Sequence, residues 1–292
     1  MTDPFELTVV VVVSRRQARG AWVEEWAKIA RNSPAAEVLL VHGSLEGMPA
    51  AVDNLRIVAC EECATIPQLR LSGLQAATAP RVILTEAFGR PGPDFLAGHR
   101  GLEAQGSVDP ASGSVTRDSG SASQWALTIV EYCRLLEGGS AGVQFPPLVN
   151  SSFNRRALLA LLEEHPTEVT QPQMQVTLLT AGESFRPTGS VLVDDNCLSL
   201  GNACRDLYHQ GRLVGGQRMK GKGLPSRLVW ALLSPLVPAL LGWRIVRATS
   251  SAGLLMQLLR SCVSVAFLLL ATGFGEGIGA LMGPGKSGER WS

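Results

Sequence analysis

Apolar runs and helical stripes alternate along the first part of the chain. Residues 7–13, LTVVVVV, are β-branched with no polar alternation, the pattern of a strand covered on both faces. ARGAWVEEWAKIARNS follows and sets Trp22, Val23, Trp26, Ile29 and Ala30 on one helical face. AEVLLVHGS (36–44) and NLRIVAC (54–60) read as two further strands, and IPQLRLSGLQAAT (66–78) as a helix with Pro67 in its first turn. RVILTE (81–86) is a fourth strand. The order β-α-β-β-α-β predicts a mostly parallel, Rossmann-type α/β sheet flanked by helices.

Beyond this the pattern weakens. Residues 106–123, GSVDPASGSVTRDSGSAS, are rich in Gly and Ser and read as a mobile loop. QWALTIVEYCRLLEGG is helical and ends at a Gly pair. An extended segment leads into a helix from about Arg155. Another helix is expected at about 168–182, a strand at 189–196 and a long helix at about 199–218. From Leu228 to Phe274 the only formal charges are Arg244, Arg247 and Arg260. Residues 228–241 are too short to span a bilayer and are expected to lie in its interface. Residues 253–272 are long enough to span it, or are partly embedded. Gly275, Gly279 and their neighbours four residues apart suit close helix packing. This divides the chain into a domain over 1–224 and apolar membrane-associated helices over 225–292.

The 292 residues carry a net charge of +1, which argues against a nucleic-acid partner. Only 17% are charged, in keeping with membrane contact. Asp3 and Glu6 stand where a secretory leader is positive. Arg212, Arg218, Lys220, Lys222 and Arg227 flank the first apolar stretch, so the main domain is expected to face the cytoplasm. Cys60 and Cys63 form a lone C-x-x-C without a second pair at zinc-site spacing, so reduced thiols are expected.

Open α/β sheets bind ligands beyond the carboxyl ends of their strands. Ser14 and Arg15 leave the first strand there, His42 the second and Glu86 the fourth. Glu86 is read as a metal anchor, as a metal-free contact to an anionic ligand, or as a loop cap; a buried unpaired charge would be costly, so it is expected to be solvated or paired with an arginine such as Arg15 or Arg90. Arg70 and Arg90 complete the candidate cation set for an anionic ligand.

The order of pieces resembles the family 2, GT-A-fold glycosyltransferases. LTVVVVVS and AEVLLVHGS are similar to that family's opening strands. IPQLRLSGLQAATAPRVILTE is similar to the helix-strand unit leading to its metal-binding acids, and RPGPDFLAGH to the turn after them. VNSSFNRRALL, YHQGRLVGGQR and GFGEGIGALMG resemble later segments. The resemblance implies a nucleotide-sugar donor, a glycan or lipid-linked acceptor, and a divalent metal, Mg²⁺ or Mn²⁺, on carboxylates; metal-independent action stays open beside it. The acid motif is degenerate. Thr85-Glu86-Ala87-Phe88 stands where Asp-x-Asp is usual, and His42 where an Asp is usual. Glu168 alone stands where an acid pair near the acceptor is common, and Asp194-Asp195 where a histidine is common. Glu168 is the candidate general base, with Asp194 behind it. A non-catalytic binding or scaffold subunit is the alternative reading.

Overall fold

The computed structural model describes residues 5–13, 22–43, 54–61, 64–100, 102, 108–136, 148–164, 169 and 171–290. In chain order the elements are β1 (Leu7–Val13), α1 (Trp22–Asn32), β2 (Ala36–His42), β3 (Leu55–Ala59), α2 (Ile66–Ala76), β4 (Arg81–Glu86) and β5 (Gly89–Pro91). A short 3-10 turn (Ala97–His99), β6 (Ala111–Thr116), α3 (Ala122–Tyr132), β7 (Ser151–Asn154), α4 (Arg155–Glu164), α5 (Gln171–Thr180) and β8 (Arg186–Asp194) follow. The remainder is helical: α6 (Leu200–Arg218), α7 (Leu224–Leu233), α8 (Leu236–Ser251), α9 (Leu255–Met282) and α10 (Ser287–Arg290). The chain divides into two compact units. Residues 1–116 and 141–195 form one, and residues 117–140 and 196–292 the other.

The first unit holds one sheet in the order β3-β2-β1-β4-β7-β6-β8-β5. β3, β2, β1 and β4 are parallel, as the β-α-β-β-α-β pattern predicts. β7 runs antiparallel to β4 and β6, while β6 and β8 are parallel. β1 is an interior strand between β2 and β4, and all seven of its residues are buried. Helix α2 presses onto it through Gly73, where an added Cβ would stand 2.3 Å from Val10 Cγ1. On α1, Trp26 is buried and meets Phe95 edge-on, with ring centroids 5.4 Å apart.

The stretch 106–123, expected as a mobile loop, instead contains β6 and the start of α3. Its small residues are needed there. A Cβ on Gly113 would lie 2.3 Å from Asn150 Nδ2 and 2.4 Å from Ser190 O. Ser and Gly signal a loop when they face water, but here they fill a buried polar seam. Asn150, left-handed at φ +52°, donates from Nδ2 to Ser114 O at 2.8 Å and accepts from Ser190 Oγ at 2.8 Å. His99 closes the seam, 2.9 Å from Asn150 Oδ1 and 3.0 Å from Ser152 Oγ. Burial pushes its pKa down to about 4, so the neutral ring donates to Asn150 from Nε2 and accepts from Ser152 at Nδ1.

In the second unit α6 and α9 touch backbone to backbone. A Cβ on Gly211 would stand 2.3 Å from Thr272 O, one on Gly275 2.2 Å from Tyr208 O, and one on Gly279 2.1 Å from Arg212 O. This packing joins α6 to the apolar helices, so the second unit takes in residues on both sides of 224. Leu258, Val265, Leu268 and Leu269 of α9 also pack with Ala126, Leu127 and Ile129 of α3 and with Ile245 of α8. The expected single segment at 228–241 is two helices, α7 and α8, bent by 51° at Ser234-Pro235, and the second runs on to Ser251. Pro235 lacks an N–H, which favours a break there. α9 extends ten residues past the expected end at 272 and is long and apolar enough to cross a membrane. Cys60, Cys133, Cys197, Cys204 and Cys262 are free thiols; Cys63 lies outside the described residues.

The close approach of these helices predicts a position-dependent cost. Gly279→Ala forces two backbones apart and should lower stability by about 2 kcal/mol, the scale of overpacking. Gly201→Ala, on the open side of α6 with nothing within 4 Å, should be neutral or slightly stabilising. Denaturant unfolding of the two variants beside the parent checks this; equal effects would mean the helices do not touch as described.

Candidate functional site

The parallel register brings candidate groups to one edge of the sheet. Val13 pairs with His42 and Val12 with Glu86, so the ends of β2 and β4 flank the end of β1. Strands lie about 4.8 Å apart, which separates the backbones of His42 and Glu86 by roughly 10 Å. The chain after Glu86 turns through Ala87-Phe88 into β5, which pairs antiparallel with the end of β8. Gly89 is opposite Asp194, and Asp195 N donates to Phe88 O at 3.0 Å. Asp194 and Asp195, more than a hundred residues downstream, are thereby returned to the turn that follows Glu86.

Among the described residues the partner of Glu86 is Arg70, not the expected Arg90; Arg15 lies outside them. Arg70 of α2 donates from Nη2 to Glu86 Oε1 at 2.5 Å and from Nη1 to Val169 O at 3.2 Å. The Arg70 side chain is 4% exposed and that of Glu86 15%. Arg90 instead meets Asp195, Nε to Oδ2, at 3.0 Å near the surface. The difference follows from the helix face. Ile66, Leu69, Arg70, Gly73 and Leu74 are the buried side of α2, so Arg70 sits within the stripe that faces the sheet. An arginine on an apolar stripe must find an anion, and the nearest strand end supplies Glu86.

The electrostatics are finely opposed. Burial raises the Glu86 pKa; the Arg70 charge and hydrogen bond pull it down, and the negative charge of Asp194 pushes it up again, for a net rise. Asp194 itself is buried. Its neighbour at the strand end is Glu86, so it stands with the candidate metal anchor. His42 is also buried, 2% exposed, and does not present an open face for stacking. Ser14, Arg15 and Glu168 lie outside the described residues.

The described residues do not fit a divalent ion at Glu86. The Arg70 guanidinium already stands on Glu86 Oε1, so an approaching ion would meet a buried cation beside this carboxylate. No group of three His, Cys, Asp or Glu side chains placed to hold a metal occurs among the described residues. Two other buried carboxylates of this unit are structural. Glu37, inside β2, accepts from Thr8 Oγ1 at 2.7 Å, from Thr78 N at 3.0 Å and from Thr78 Oγ1 at 2.9 Å, and pairs with Arg56 at 2.5 Å. Asp109 is gripped by Arg81 at 2.9 Å and by Arg186 at 2.5 Å. The sequence reading missed both clusters; the one signal it held for Glu37 is a lone acid inside an apolar strand.

No protein-family model matches the chain, and no curated protein matches it. Among solved structures it is similar to the mannosyltransferase PcManGT from Pyrobaculum calidifontis in complex with GDP-Man and Mn²⁺. The TM-score is 0.56 at 18% identity, over 94% of this chain and 88% of that one. S. aureus TarS 1–349 aligns over 94% of this chain and 91% of its own, with a TM-score of 0.35 and 12% identity, and adds nothing to the assignment. The first likeness establishes the fold. The chain has a GT-A-like glycosyltransferase fold, an α/β sheet flanked by helices and followed by apolar C-terminal helices.

The Arg70–Glu86 pair makes a stability prediction. Glu86→Gln leaves a guanidinium buried against a neutral amide and should cost about 3 kcal/mol, the scale for breaking a buried pair. The double variant Arg70→Met/Glu86→Leu removes both charges and should recover more than half of that loss. Urea unfolding of the single and double variants measures the coupling; additive effects would show that the pair is not buried as described.

Proposed function

We propose that this chain transfers a sugar from a nucleotide-sugar donor to a glycan or lipid-linked acceptor at a membrane surface. The observation that carries the reading is the convergence of β1, β2 and β4 at one carboxyl edge, within a fold shared with a mannosyltransferase. Sheets of this kind bind ligands beyond that edge. The donor would lie there, with Ser14, Arg15 and His42 on the nucleotide side. Departure of the nucleoside diphosphate develops negative charge, which divalent metal ions or arginine side chains neutralise. Arg70 and Arg90 are the arginines whose carboxylate partners, Glu86 and Asp195, border the turn after β4. The acceptor hydroxyl needs a general base, a role in which Glu168 stands ahead of Asp194, because the latter is buried beside Glu86. The observation favouring a non-catalytic subunit is the same ion pair, since it engages the one acid of the degenerate motif.

The membrane reading rests on the apolar helices. Leu232, Val263 and Phe274 are each more than 60% exposed, among many large apolar side chains of α7, α8 and α9. Between Asp206 and Glu276 there are eight Lys and Arg residues and no acid. Anionic lipid headgroups complement such a surface. The seat is in the plane of the interface. The carboxyl half of α9 runs along α6 beside Arg212, and Glu276 pairs with Arg218 at 2.7 Å. That leaves residues 255–270, about 24 Å of helix at 1.5 Å per residue and short of a core of about 30 Å; one side of it is open to lipid at Met256, Leu259, Val263 and Phe267, while Leu258, Val265 and Leu268 are buried. The main domain would face the cytoplasm, by the basic flank of α7.

Two measurements test these readings. Calorimetric titration of the full-length protein with GDP, UDP and their sugar conjugates should give saturable 1:1 binding; absence of binding to all of them sinks the donor reading. Release of free nucleotide from the bound sugar conjugate in the presence of membrane extract separates an enzyme from a binding subunit. The protein should also pellet with phosphatidylglycerol-containing vesicles, and Leu232→Asp/Val263→Asp should stay in the supernatant. Sedimentation indifferent to both lipid charge and substitution would refute the membrane seat.

A further inference from the structure

We infer that Arg70 stands in the place of a divalent cation at the carboxyl edge of the sheet, so that the Glu86 site of this chain takes no metal. The inference builds on the donor reading above but is decided separately from it.

Three observations carry it. The first is position. Glu86 Oε1 and Asp194 are the two carboxylates brought together at this edge, close enough that Asp194 acts on Glu86. The Arg70 guanidinium lies on Glu86 at 2.5 Å. A divalent ion of the Mg²⁺ class needs carboxylate oxygens at about 2.1 Å in near-octahedral geometry. It cannot share that oxygen with a guanidinium at hydrogen-bond distance, because two cations would then stand side by side in a poorly solvated place.

The second is anchorage. Arg70 is not a surface side chain that swings aside. It is 3% exposed, issues from the buried face of α2, and is tied by Nη1 to the Val169 carbonyl. To admit a metal, the guanidinium would have to leave both partners within the packed interior.

The third is the charge inventory. Asp195, the next carboxylate along, is held by Arg90 at 3.0 Å. Two of the acids at this turn, Glu86 and Asp195, thus already hold a guanidinium each. Arg70 Nε is buried with no acceptor among the described residues and suits an anionic oxygen. A guanidinium with a spare donor supplies to a donor diphosphate the positive charge that a metal would otherwise bring.

Mn²⁺ titration of the full-length protein, followed by the electron paramagnetic resonance signal of the free ion, needs no nucleotide. The parent should leave the free-ion signal undiminished. Arg70→Gln should consume it to about one ion per chain by uncovering Glu86 and Asp194, and adding Glu86→Gln to that variant should restore it. Arg70→Lys keeps a cation in place and should not gain the ion. Circular dichroism confirms that each variant is folded; if Arg70→Gln does not fold, the parent titration alone decides. One Mn²⁺ bound by the parent and lost in Glu86→Gln overturns the inference. So does parent nucleotide binding that EDTA abolishes and Mn²⁺ restores. Failure of every nucleotide to bind would instead remove the donor reading, while the Mn²⁺ titration would still decide whether Arg70 excludes the metal.

Discussion

A charge taken out of water must be answered where it stands, and the interior of this protein is arranged around that constraint. Four of its buried carboxylates are met by arginine. Glu37 has Arg56, Glu86 has Arg70, Asp109 has Arg81 and Arg186, and Glu276 has Arg218. The partners are far apart in sequence, so each pair closes a long loop and fixes which elements lie together. Arg81 joins the start of β4 to the segment before β6, and Arg186 joins the start of β8 to the same acid. Arg70 joins α2 to the end of β4. The sheet order follows from apolar burial, and three of these acids tie strands of the sheet to their neighbours.

Such pairs also explain what could and could not be read from the chain. β1, β2 and β4 are legible because residues covered on both faces leave an unbroken apolar run. α1 is legible from its period and α2 from the proline in its first turn. Each of these is a local pattern. β6 was not legible, because its small residues carry the same letters as a loop and only Asn150 and Ser190, distant in sequence, show why they are small. The glycine spacing in GFGEGIGALM was legible as a packing signal, but the length of α9 through it was not, for a related reason. Glycine lowers helix propensity, and the gain that offsets it, the approach of the α6 backbone, is a tertiary fact. In the candidate site, the strand ends at His42 and Glu86 were readable from the sheet rule. The return of Asp194 to Glu86 was not, since it depends on β5 pairing with β8 across a hundred residues.

The helical unit obeys the same constraint in a different setting. Its glycines let α6 and α9 touch along their backbones, and that approach sets Glu276 against Arg218, whose guanidinium lies 4.3 Å above the Trp230 ring. An acid and a base locked together in this way add no net charge to an apolar helix. The charge that remains on the unit between residues 207 and 275 is of one sign and sits largely at the surface, on Lys220, Lys222, Arg244, Arg247 and Arg260. The exposed face of this unit therefore combines apolar side chains with cations, the pairing on which the proposed membrane seat rests.

The same logic bears on a degenerate acid motif. Loss of acids from a metal site does not by itself argue for loss of function, because what a departing diphosphate requires is positive charge in a fixed place. A metal supplies it when several carboxylates converge; a guanidinium supplies it with one carboxylate to hold it. Glu86 as the single acid of its motif is surplus to a metal-free site unless something must orient an arginine, and insufficient for a metal site unless other ligands arrive. Arg70 on the buried face of α2 resolves that mismatch, since its charge needs one anion and its planar fork leaves donors over after Glu86 and Val169 are bound. In the metal-free reading inferred above, the lone carboxylate is the holder of the cation.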